Sequence, residues 1–85
     1  MTNKEILKKQ IIYRSAHRGS KEMDLLLGNF VKKYLNKLSS DELSQLNYLL
    51  TVDDKNLFNY YVNKKISVKI PKNRIFALFK NFKIK

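Results

Sequence analysis

The strongest hydrophobic pattern in the chain lies between residues 21 and 38. Apolar side chains recur there at steps of three and four, which is the spacing of one face of an α-helix. The positions predicted to face inward are Met23, Leu26, Leu27, Phe30, Val31, Tyr34, Leu35 and Leu38. Leu25 falls on the polar side of this helix, so we expect it to be an exposed apolar residue.

Two weaker patterns predict a helix on either side of this one. Residues 4–16 have an approximate apolar face, and Gly19 is expected to end that first helix. The face consists of Leu7, Ile11, Ile12 and Tyr13. After residue 38, Ser39 and Glu42 have the spacing of a capping box. They predict a helix of about ten residues that buries Leu43, Leu46 and Leu50.

The last third of the chain predicts two more short helices. Asp53 or Asp54 is expected to cap the first of them, with Tyr60 off its apolar stripe. That stripe is Leu57, Phe58, Tyr61 and Val62. Residues 64–70 are predicted to be a loop, and Pro71 is expected at the first position of the final helix. The inward positions of that helix are Ile75, Leu78, Phe79 and Phe82. We therefore predict an all-α fold, a compact single-domain bundle of four to five short helices over residues 1–85, with a frayed C-terminus.

The turn between the first two helices carries the candidate site. Gly19 can adopt positive φ and permits close approach of a backbone or ligand. Ser20 can cap the following helix, and the carboxylates of Glu22 and Asp24 in its first turn suit the helix dipole. Arg18 has no apolar partner in its spacing. The alternative is an ordinary connection in which Gly19 is only a C-cap.

The net charge of +11 is concentrated at the C-terminal end. Residues 1–54 hold nine basic and seven acidic side chains, a net of +2, whereas residues 55–85 hold nine basic and no acidic ones. Because most of these are lysines, a solvated surface is favoured over a nucleic-acid patch. Such a patch would use Lys64, Lys65, Lys69, Lys72 and Arg74. A weaker alternative is attachment to a membrane surface through Phe76, Phe79 and Phe82 with Lys80 and Lys83.

The composition excludes most catalytic chemistry. The chain has no cysteine and only one histidine, so thiolate chemistry is absent and we expect neither a zinc site nor any other metal site. His17 has no serine partner arranged with a third group, and no glycine-rich phosphate loop is present. We therefore expect a protein that is not an enzyme and that acts by binding something larger. Without an apolar run long enough for a membrane span or a signal peptide, we expect a cytoplasmic location.

Two runs of residues resemble a known family. The run from Arg18 to Glu22 has the Arg-Gly-x-x-Glu pattern of the small succinate dehydrogenase assembly factors, the flavinator family. The run from Leu49 to Tyr60 is similar to that family's Leu-Leu-x-x-x-Asp-x-x-Leu-x-x-Trp region. The resemblance covers about residues 5 to 80. His17, Ser20 and Tyr60 depart from the pattern, standing where members commonly have arginine, methionine and tryptophan.

The resemblance implies a helical assembly factor. Its partner would be the flavoprotein subunit of succinate dehydrogenase and, in some bacteria, that of fumarate reductase. It would promote covalent attachment of FAD to a histidine of that subunit without binding FAD stably itself. The partner-binding residues implied are Arg18, Gly19 and Glu22, with His17 and Asp24 as neighbours. Leu25, from its predicted exposure, would add an apolar contact. We expect a monomer, because no feature of the sequence demands a dimer.

Overall fold

Side-chain caps mark the start of every α-helix in the computed structural model, which describes residues 2–16 and 18–83. Within these ranges the helices are α1 (Asn3–Ala16), α2 (Lys21–Tyr34), α3 (Ser40–Leu49), α4 (Asp54–Tyr61) and α5 (Arg74–Asn81). A 3-10 turn, Leu35–Lys37, follows α2. In each case a side-chain oxygen accepts a hydrogen bond from the backbone N–H three residues later, which satisfies one otherwise unpaired donor. The capping residues are Thr2, Ser20, Ser39, Asp53 and Asn73. The described ranges contain no strand, so the predicted all-α class is confirmed.

Helix α2 supplies five buried side chains to the core. Helix α1 packs against α2 and α3, while α5 packs against α3 and α4. Phe30 is fully buried, and its ring lies 5.5 Å from that of Phe79 and 5.3 Å from that of Phe82, measured between centroids. Both pairs have the edge-to-face geometry that aromatic quadrupoles favour. The inward positions predicted for α2 are confirmed, although regular α-helix ends at Tyr34 rather than at Leu38.

Helix α1 buries a narrower stripe than we predicted. Leu7 is partly buried against the core, Ile11 is fully buried, and Ser15 is buried with its hydroxyl donating to the carbonyl of Ile12 at 2.9 Å. These positions are four residues apart and therefore share one face. Ile12 and Tyr13 are turned away from that face and are 50% and 64% exposed, so their predicted burial is wrong.

The prediction for α4 is also partly wrong. Phe58 and Val62 are exposed, whereas Tyr60 is half-buried and its hydroxyl donates to the carbonyl of Phe76 at 3.3 Å. The reason is that α4 lies against α5, so the side of α4 that carries Tyr60 is covered by a neighbouring helix. Burial raises the pKa of Tyr60.

Helix α5 begins later than predicted. Pro71 lies before the helix, and Asn73 caps it by accepting from the N–H of Phe76 at 3.0 Å. Phe76 is fully buried together with Ile75 and Phe79, while Leu78 is only partly buried. Because these phenylalanines belong to the core, α5 has no apolar face to lay on a membrane surface. No helix of the described ranges has the length and apolar character needed to cross a bilayer.

We predict that Phe30→Ala lowers the free energy of unfolding by about 3–5 kcal/mol, because it leaves a cavity beside Phe79 and Phe82. Leu25→Ala is the matched control, because Leu25 lies on the same helix and is 59% exposed. It should change stability by less than about 0.5 kcal/mol. Urea unfolding of both variants measures the difference. Equal effects would contradict the assignment of Phe30 to the centre of the core.

A second prediction concerns Glu42, which completes the capping box of α3. The backbone N–H of Ser39, together with Arg74, lowers the pKa of Glu42 below its ordinary value of 4.5. The stability due to ionised Glu42 is therefore complete above that value and is lost as the pH falls through the lower folded-state pKa. Glu42→Gln should have a lower urea midpoint than wild type at about pH 6, and the gap should close on acidification. An unchanged gap at about pH 3 would contradict this.

Candidate functional site

Arg18 is used inside the protein. Its side chain is only 8% exposed, and its Nε and Nη2 lie 2.7 Å and 2.5 Å from Oδ1 of Asp54. Nη1 donates to the carbonyl of Leu50 at 2.7 Å, and Nη2 also donates to that of Val52 at 2.8 Å. The guanidinium thereby satisfies carbonyls that the end of α3 leaves unpaired. These bonds take up most of the guanidinium donors within the chain, and the implied contact of Arg18 with a partner stays a prediction.

Gly19 is needed for close approach rather than for an unusual backbone conformation. Its N–H donates to Oδ2 of Asp54 at 2.8 Å, so each oxygen of that carboxylate is bonded to the turn. A Cβ at position 19 would lie 3.3 Å from Oδ2, which is tighter than ordinary contact. Neither Gly19 nor Gly28 has a positive φ. A group does approach Gly19 closely, but it is the side chain of Asp54 and not the predicted backbone or ligand. The left-handed conformation and the C-cap alternative are wrong.

The rest of the turn is held by its own polar groups. Ser20 Oγ accepts from the N–H of Met23 at 3.2 Å, which confirms the predicted cap. Asp24 Oδ1 accepts from the backbone N–H of Arg18 at 2.9 Å. These bonds fix the path of the chain into α2. Asp24 therefore helps to fix the conformation of the turn. The other predicted neighbour, His17, lies outside the described residues.

Glu22 and Leu25 are the predicted site residues that face outward. Both are exposed, and the carboxylate of Glu22 has no hydrogen bond or ion pair with the described part of the chain. Glu22 stands at a cavity of about 480 Å³ between the start of α2 and α4. The lining residues are Ser20, Glu22, Met23, Asp54, Lys55 and Phe58. The exposed carboxylate of Glu22 next to the apolar lining of this cavity is suited to binding a protein surface.

Two residues of this cavity escaped sequence reasoning. The sequence pattern predicts Phe58 in the buried stripe of α4 and gives no role to Lys55. Lys55 and Phe58 both follow Asp54 on α4. Phe58 is four residues after Asp54, so these two residues lie on one face of the helix. The spacing was readable in the sequence. What could not be read was that Asp54 is joined to Gly19 across 35 positions of the chain.

Asp53 holds a second segment to the same end of α4. Its Oδ1 accepts from the side-chain amide of Asn56 at 2.8 Å, and this bond is the main reason that the pKa of Asp53 is lowered. Asn56 is buried, and its Oδ1 accepts from both the N–H and the hydroxyl of Ser67 at 2.9 Å and 3.1 Å. The start of α4 therefore anchors both the turn at Arg18 and the loop that contains Ser67.

No metal centre can be assembled from the described residues. Within the ranges 2–16 and 18–83, no three side chains of the histidine, cysteine, aspartate or glutamate types come together. Among the described residues, the groups that converge at the site are carboxylates, a guanidinium and backbone amides, which bind and position but include no nucleophile with a base beside it.

Comparison with known proteins identifies a family whose model matches most of the chain. The family model described as flavinator of succinate dehydrogenase matches residues 9–83. Proteins named succinate dehydrogenase assembly factor 2, mitochondrial, are 40% identical in Dictyostelium discoideum over 60 residues and 41% identical in Scheffersomyces stipitis over 64. These alignments cover 71% and 75% of this chain, but 43% and 42% of the relatives. The protein of that name in Saccharomyces cerevisiae is 40% identical over 74% of this chain and 40% of its own length.

The same comparisons limit and correct the sequence predictions. The chain spans less than half the length of these curated relatives. The relatives are named as mitochondrial proteins, so the expectation of a cytoplasmic location is contradicted. No solved structure matches the chain.

We predict that replacing Arg18 lowers the stability of the protein, whereas replacing Glu22 leaves it almost unchanged. Arg18→Ala removes the donors of a largely buried carboxylate and two carbonyls, and should lower the free energy of unfolding by about 2–4 kcal/mol. Glu22→Ala removes no bond within the described structure and should change it by less than about 0.5 kcal/mol. Urea unfolding of the two variants side by side checks this. Equal losses of unfolding free energy would contradict the assignment of Arg18 to a buried structural role and of Glu22 to the exposed surface.

Proposed function

This chain belongs to the family described as flavinator of succinate dehydrogenase, and on that premise we propose that it binds the flavoprotein subunit of that enzyme. In this proposal it promotes covalent attachment of FAD to a histidine of the subunit and acts as an assembly chaperone. The observation that carries the proposal is the exposed carboxylate of Glu22 in the Arg-Gly-x-x-Glu turn, which lies beside a largely apolar cavity and has no partner among the described residues.

The residues of the turn divide into two roles. Glu22 makes a charge-assisted hydrogen bond to a basic or N–H group of the partner. Phe58, which lines the cavity and is 38% exposed, and Leu25, which is 59% exposed and follows Glu22 by three residues on α2, add apolar contact. Arg18, Gly19 and Asp24 are positioning residues that hold the backbone on which Glu22 is presented.

The chemistry belongs to the partner and its flavin in this proposal. The protein would contribute by holding the flavoprotein so that the flavin and its histidine remain in a near-attack geometry, which lowers the barrier without a catalytic group. The factor is then not an enzyme, and FAD is a cofactor delivered to or attached in the partner rather than one bound stably here.

The nucleic-acid alternative loses one of its five cations. The guanidinium of Arg74 lies 2.5 Å from the carboxylate of Glu42, so it is already paired within the chain. The remaining groups are lysines, which lack the bidentate fork that reads bases and grips phosphates. This pairing favours the assembly-factor proposal.

The test is co-expression with the flavoprotein subunit from the same cell, followed by a denaturing gel read by flavin fluorescence. We expect covalent flavin to depend on this protein and to fall about tenfold or more with Glu22→Ala, as for an interface anchor. The variant should keep the wild-type unfolding midpoint, so that loss of flavin reports contact rather than folding.

Glu5→Ala is the matched control. Glu5 is an exposed glutamate in the first turn of α1, so the chemical change is the same at a different place. It should leave flavin loading unchanged. Normal loading with Glu22→Ala, or an equal loss with Glu5→Ala, would overturn the assignment of Glu22 as the contact.

A further inference from the structure

The segment between α4 and α5 is non-helical but is held in place. Ser67 is bonded to the buried Asn56, and the side chain of Asn59 donates to the carbonyl of Lys65 at 3.4 Å. The chain leaves α4 through Asn63, which has a φ of 63°, and the N–H of Lys64 donates to the carbonyl of Asn59 at 2.7 Å. These bonds anchor the start of the segment, and Ile70 further along it is partly buried against the core, so a surface built on the segment is held at both places.

Two adjoining cavities lie where this segment meets α3, and they share Tyr48 and Lys69. One of about 380 Å³ is lined by Tyr48, Lys69, Ile70, Pro71 and Lys72. The other, of about 260 Å³, is lined by Tyr48, Thr51, Val52, Asp53, Val68 and Lys69. Tyr48 is 51% exposed, and its hydroxyl has no hydrogen-bond partner in the described part of the chain. We call this surface the Tyr48 surface.

The net charge of the Tyr48 surface is positive, because its two lysines outnumber its one carboxylate. Lys69 and Lys72 make no ion pair with any described residue. Asp53 is the one carboxylate lining either cavity, and it is bonded to Asn56. From residue 55 to residue 85 the chain has nine basic and no acidic side chains. A partner that neutralises this field must itself be acidic.

We propose that the Tyr48 surface binds an acidic protein segment carrying one apolar side chain. The apolar side chain would pack against Tyr48 and Pro71, and the flanking carboxylates would pair with Lys69 and Lys72. An exposed aromatic at the centre with cations at the rim is the anatomy of a protein interface. The lysines are point charges, and no unpaired arginine lines either cavity, so a protein segment is favoured over nucleic acid. The proposal goes beyond the flavinylation proposed above, because no lining residue is shared with the cavity at Glu22.

The probe is a fluorescein-labelled peptide of glutamates around a central leucine, titrated with the full chain and read by fluorescence anisotropy. We expect saturable binding that weakens about tenfold with Lys69→Glu and about fivefold or more with Tyr48→Gln. A peptide with glycine in place of the leucine should also bind more weakly. Both substituted side chains are exposed, and unfolding midpoints check that the variants remain folded.

Lys37→Glu is the matched control, because it makes the same change of charge at an exposed lysine that lines neither cavity. It should weaken binding less than twofold. An equal effect of Lys37→Glu would mean attraction by net charge alone and would overturn the proposal, as would no binding at all. Tighter binding of a single-stranded oligonucleotide of equal charge would overturn it in favour of nucleic acid. The probe contains no flavoprotein, so its failure leaves the flavin experiment unaffected.

Discussion

The carboxylate of Asp54 is the group on which the candidate site depends. One oxygen accepts from the guanidinium of Arg18 and the other from the N–H of Gly19, so a single side chain fixes both the charge and the backbone of the turn. Such a pair contributes modestly as a whole, but removing one partner is costly because the other charge stays partly desolvated without its ion pair. The neighbouring Asp53 holds the Ser67 loop through Asn56. The start of α4 therefore organises two distant segments of the chain.

This arrangement gives a physical meaning to the two runs of residues that carry the family resemblance. Arg18 and Gly19 belong to the first run and Asp54 to the second, and the structure bonds them directly. A motif residue can thus matter for function without touching a partner. In our account Arg18 keeps the turn in shape, and Glu22, four residues later on the outside of α2, is the group that a partner meets.

The parts of the fold that the sequence could predict are those set by local rules. The apolar stripe of α2 and the caps at Ser20 and Ser39 depend on residues within one or two turns, and all are confirmed. The exposure of Ile12 and the half-burial of Tyr60 depend on which helices pack together, and both were predicted wrongly. The start of α5 was also predicted wrongly, although the cap that sets it, Asn73, is a local feature. The ion pair between Arg18 and Asp54 joins residues 36 positions apart, and no local sequence pattern indicates it. Family membership, resting on motif spacing, is confirmed.

The most direct test of the central claim is hydrogen exchange at the amide of Gly19, followed by NMR. If Asp54 holds the turn, this amide should exchange on the order of a hundredfold more slowly than an unstructured one in the wild-type protein. In Asp54→Ala the protection should disappear, while the amide of Phe30 in the core remains protected. Exchange of the Gly19 amide at the same rate in both proteins would contradict the account.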